Sequence, residues 1–120
     1  MTFTGQMDDG RLRCRQQLST LWTLALSRDD KALSPRVTCE MRDAANAVIG
    51  EVEAMSRAMV EGGGCTPGVE TFLWVRVARL ALTADQAVEA ARTGDAAGLR
   101  AHLRHLEALT SALWTVRDAI

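Results

Sequence analysis

The chain contains no tyrosine, two phenylalanines and two prolines among 120 residues. Sheets draw heavily on aromatic and β-branched side chains, so this scarcity argues against a β fold. With only Pro35 and Pro67 to break helices, long helices are permitted. Lysine is also nearly absent: Lys31 stands alone beside thirteen arginines, a bias we read as codon composition. No excess of one sign exists either. The formal net charge is −1 with both signs interspersed, which removes the long-range field that draws proteins to nucleic acid or anionic lipid. The small basic group Arg11, Arg13 and Arg15 and the pair Arg100 and Arg104 lie close to acids and have no interleaved exposed aromatics, so no nucleic-acid partner is expected.

No apolar run approaches the roughly 18 residues that a membrane span requires. The greasiest stretch, Phe72 to Leu82, is interrupted by Arg76 and Arg79. Met1 to Gly10 carries Asp8 and Asp9 and no apolar segment, so no secretory leader is expected. Cys14, Cys39 and Cys65 are an odd number at wide spacing, unlike the dense even framework of secreted scaffolds. These observations predict a cytoplasmic protein with free thiols and no membrane association.

What the chain does have is alanine, nineteen of them, and helical periodicity. The pattern predicts an all-α fold: one domain over 1–120, an up-down-up-down four-helix bundle with helices over about 9–27, 35–60, 67–92 and 96–119. Residues 1–7 show no period and are expected to be disordered or frayed, with Asp8 or Asp9 capping the first helix. Cys14, Leu18, Leu21, Trp22 and Ala25 form its stripe. Arg28 to Leu33 reads as a short polar connection.

Ser34-Pro35 and Thr66-Pro67 are cap-then-proline starts. The second helix places Val37, Met41, Ala44, Ala45, Val48, Val52, Met55 and Met59 on one face, the methionines as irregular core filler. Gly62, Gly63 and Gly64 break the chain. No strand precedes these glycines and no Lys-Ser/Thr follows, so they do not make a phosphate-cradling loop. Thr93-Gly94-Asp95 reads as stop, left-handed residue and new cap, leading to the stripe Leu99, Leu103, Leu106, Leu109, Leu113, Val116 and Ile120, with Trp114 beside it.

The third helix is too apolar for one buried stripe. Leu73, Val77, Leu80, Ala84, Val88 and Ala91 suffice to close a bundle. Trp74, Val75, Ala78, Ala81 and Leu82 form a surplus set rotated away from them, expected to be an interface with a second copy or another protein. Small residues such as Ala78 and Ala81 permit close helix approach, and symmetric homodimers are the commonest soluble oligomers. Arg76 and Arg79 would mark the edge between the two contacts.

Catalytic chemistry finds little support. Carboxylates are scattered singly over polar faces, no two converging on an apolar pocket, and neither a catalytic set nor a cofactor is expected. His102 and His105 are one turn apart on the fourth helix, but a zinc site needs further ligands, and no Glu-x-x-His motif is present. No metal site is therefore predicted. A pocket near His102, His105 and Met41, binding a small ligand or metal in a sensor, is the alternative to a non-enzymatic interaction or regulatory module.

One segment, Ala91-Arg92-Thr93-Gly94-Asp95-Ala96-Ala97-Gly98-Leu99-Arg100-Ala101-His102-Leu103, resembles the terminal helix hairpin of the ligand-sensing domain in GntR-type repressors. The resemblance implies a metal-binding role for His102. It covers thirteen residues; where a preceding ligand histidine would be expected the chain has Leu80, and it has no DNA-reading winged helix.

Overall fold

The computed structural model describes residues 3–26 and 33–119, with side chains from residue 9 onward. Four helices follow in order: α1 Phe3–Leu26, α2 Pro35–Glu61, α3 Pro67–Thr93 and α4 Ala96–Ala119. No strand occurs among the described residues, and the all-α four-helix bundle expected from periodicity is the architecture observed.

The predicted punctuation accounts for four of the connections' ends. The Ser34 hydroxyl accepts from the Val37 N–H at 3.3 Å and the Thr66 hydroxyl from the Val69 N–H at 3.3 Å, while each proline fills the first helical position, where an N–H would have no intrahelical partner. Gly94 ends α3 with φ 80°, a left-handed conformation that costs other residues about 1–2 kcal/mol. Its N–H returns to the Ala90 carbonyl. Asp95 then caps α4, its Oδ1 accepting from the Gly98 N–H at 2.9 Å.

Two expectations at the first helix need correction. α1 begins at Phe3, so residues 3–7 belong to the helix and neither Asp8 nor Asp9 caps it. Once a helix is nucleated, each added residue gains one hydrogen bond for the dihedrals it fixes, and Gln6 and Met7 are good helix formers that need no apolar period to join. The second correction concerns Leu33, which is not part of a polar connection. It is buried, and its N–H donates to the Ala91 carbonyl at 3.0 Å, closing the end of the bundle over α3.

In the core, Met41, Val48, Val52, Leu73, Leu80, Leu106 and Leu113 are sealed from solvent. Trp114 joins them, filling the space beside Gly10: a Cβ on Gly10 would lie 2.9 Å from Glu51 Oε2 and 3.4 Å from the Trp114 ring. Buried Thr83 and Thr110 satisfy their hydroxyls on carbonyls one turn back, Arg79 and Leu106, at 2.8 Å each.

α1 packs on α2, α2 on α3 and α3 on α4; the α1–α4 seam is thinner, and α2 touches α4 across the bundle while α1 and α3 scarcely meet. The cross-section is thus a rhombus with α2–α4 as its short diagonal. Overall dimensions of 47 × 29 × 19 Å agree, the smallest being about two helix diameters. α1 and α3 occupy the acute corners, where a helix meets its neighbours over the narrowest arc. Polar ties fix the register: Arg13 to Glu51 at 2.6 Å, Arg11 to Asp118 at 2.7 Å, Arg42 to Asp85 at 2.9 Å and the Trp22 indole N–H to Glu107 at 3.0 Å. Being exposed, such ion pairs add little stability; they select one alignment. No described helix is long and apolar enough to cross a membrane.

Candidate functional site: the outward face of α3

An acute-corner helix keeps a wide face open, and on α3 that face is apolar in its first half. Leu73, Val77 and Leu80 are buried, whereas Val75 and Leu82 remain 53% and 58% exposed and Ala78 is exposed between them. At 100° per residue, Thr71, Val75, Ala78 and Leu82 project from the side opposite the buried stripe. Ala81 is half-buried. Trp74, placed by the sequence in the surplus set, divides itself: it is half-buried and packs against the core, leaving its outer edge to line a shallow concavity with Pro67, Glu70, Thr71, Val75 and Ala78. Arg76 lies over the Phe72 ring, 4.8 Å from its centroid, and Arg79 is exposed.

Farther along α3 the same outward side turns polar. Asp85, Gln86, Glu89, Ala90 and Thr93 line a second open groove with Asp95 and half-buried His102. Asp85 is engaged by Arg42, and both Glu89 oxygens bind Arg92, whose guanidinium holds the Glu89 carboxyl below its ordinary value. Asp95 is the α4 cap. The acids of this groove therefore already have partners within the chain.

The expected His102, His105 and Met41 pocket is not assembled. Met41 is wholly buried in the core, His105 is exposed, and His102 lies between those extremes in the α3–α4 groove. A methionine that continues the α2 stripe faces the bundle axis, whereas an open groove lies outside it. Among the described residues no three His, Cys, Asp or Glu side chains are grouped to hold a metal ion.

The cysteines are also apart. Cys14 is buried, its Sγ 3.9 Å from the Val48 carbonyl, and burial pushes its thiol up to about 11 despite the neighbouring Trp114 indole. Cys14 therefore lies level with Val48, while Cys65 follows the end of α2, about 20 Å along that helix. That separation exceeds disulfide reach. Cys39 is exposed, and all three are free.

Leu12 and Leu26 are exposed at the opposite acute corner, Leu12 between Arg11 and Arg13 and Leu26 at the C-terminal end of α1. Fourteen positions and about 21 Å separate them, so they form no contiguous patch. Comparisons with protein-family models, curated proteins and solved structures find no match.

Proposed function

We propose that this is a non-enzymatic interaction or regulatory module that self-associates through the outward face of α3. The observation that carries this reading is the division of neighbours: Leu80 is sealed in the core while Leu82, two residues on, is 58% exposed beside Val75 and Ala78. The fold does not need these outward residues, and an uncovered apolar strip is a solubility liability. Their spacing suggests the occupant. Thr71, Val75, Ala78 and Leu82 follow a 4-3-4 interval, the repeat of a helix–helix seam, and the strip places bulky residues on either side of a small one. Such a strip can pair with itself, so a second copy is the partner we assign. The free thiols fit a reducing cytoplasm, which we propose as the compartment.

Covering the exposed remainders of Val75 and Leu82 contributes about 1 kcal/mol per side chain, about 4 kcal/mol per pair of copies, with Trp74 and the alanines adding contact at the edge. A dissociation constant on the order of 100 µM needs about 5.5 kcal/mol net, so the Trp74 edge and the alanines have to offset the cost of association and supply the remainder. Leu82→Arg removes the largest exposed contribution from both copies and places two cations at the seam. It should weaken association more than about 100-fold while leaving helicity and unfolding temperature close to the parent. Loss of helicity would make Leu82 a fold residue and refute the assignment.

A further inference from the structure

We infer that the two copies pair antiparallel, with a twofold axis passing between the two α3 helices at the level midway between Val75 and Ala78; this rests on the self-association proposed above and specifies its geometry. The seam does not end at Leu82. Its 4-3-4 interval continues to Asp85 and Glu89, and both are exposed carboxylates on the same outward side. A parallel, in-register pair would set Asp85 against Asp85 and Glu89 against Glu89 at consecutive seam positions. Like charges opposed at short range disfavour that alignment, and the cations already bound to them, Arg42 and Arg92, come from the same chain and would have to crowd the contact in duplicate.

Reversing one copy separates each of these acids from its own counterpart. In antiparallel seams the two kinds of seam position face each other, and one register pairs all four seam positions, Thr71, Val75, Ala78 and Leu82. Leu82 then meets Thr71 of the second copy, and Val75 meets Ala78, each pairing occurring twice. Beside the seam, the Trp74 edge lies over the second copy's Ala81, bulky against small. The same register carries Asp85 to the level of the second copy's Gly68, in the first turn of α3. A side chain has room there, since no atom approaches a Cβ position on Gly68 closer than the Thr66 hydroxyl at 3.9 Å. The first turn is also where a carboxylate is favoured by unpaired N–H groups and the helix dipole. Glu70, the acid of that same first turn, lines the concavity beside Thr71 and Trp74, on the flank that the second copy's Asp85 approaches.

Disulfide trapping separates the alignments. With Cys39 and Cys65 replaced by serine to remove the accessible thiols, Thr71→Cys and Leu82→Cys are made in separate chains, each is checked for the parent's circular dichroism, and each is oxidised alone and in an equal mixture at about 200 µM, above the expected dissociation constant. In the antiparallel pair, residue 82 of one copy lies about 16 Å along the seam from residue 82 of the other, beyond disulfide reach, but beside residue 71. The expected result is a disulfide between the two variants in the mixture and none in either alone. Cross-linking of Leu82→Cys to itself would establish the parallel pair and overturn the inference. Absence of any cross-link, with the parent still dimeric by sedimentation, would overturn this register alone; a monomeric parent at the same concentration would overturn self-association itself.

Discussion

Leu80 and Leu82 sit two residues apart on one helix and should respond to the same substitution in opposite ways. Leu80 has no solvent exposure, so Leu80→Ala removes a fully packed side chain and leaves a cavity, costing about 3–4 kcal/mol. Leu82 is 58% exposed, and alanine is the better helix former, so Leu82→Ala should cost under about 1 kcal/mol. For a domain of this length 1 kcal/mol moves the unfolding midpoint by roughly 4 °C, giving a fall of about 12–16 °C for Leu80→Ala against at most about 4 °C for Leu82→Ala. Thermal unfolding followed at 222 nm, at low micromolar protein so that association does not contribute, reads both. Equal losses would refute the division of α3 into a core face and an outward face, because both leucines would then be supporting the monomer.

Two further predictions test other parts of the molecule. Gly50 lies exposed within α2 and an added Cβ meets nothing within 4 Å, so Gly50→Ala should stabilise the protein by about 0.5–1 kcal/mol in urea titration; destabilisation would mean that α2 is contacted there. Cys14 has its folded thiol raised from 9.0 to about 11 by burial. The neutral thiol is thus the form the fold favours, and this contribution is fully present below about pH 9 and lost as pH rises toward 11, because only the unfolded chain ionises freely in that window. The loss is about 2–3 kcal/mol. With no tyrosine and a single lysine few other groups titrate there, so Cys14→Ala should flatten stability between pH 9 and 11, and an unchanged slope would place the cause elsewhere.

The bundle was legible because its signals are local and repeated: caps at Ser34 and Thr66, prolines at helix starts, glycine at 94 and stripes at helical spacing. The failures have equally specific causes. The start of α1 was missed because propagation from an existing helix needs neither cap nor periodicity, and Leu33 because one leucine in a polar run carries no period. The close approach at Gly10 depends on Glu51 and Trp114, from two other helices, which no linear pattern relates to it. Residues of the candidate interface were legible as a surplus of apolar side chains, but Trp74's division between core and surface follows from the rhombic cross-section. His102 and Met41 failed as a pair for the reverse reason. Similar height along the bundle does not distinguish an axis-facing side chain from a groove-facing one.

Sedimentation equilibrium of the unmodified protein from about 5 to 200 µM tests the central claim most directly. The account predicts a weight-average mass rising from monomer toward dimer across that range, with the rise abolished by Leu82→Arg. A mass fixed at the monomer throughout would contradict it.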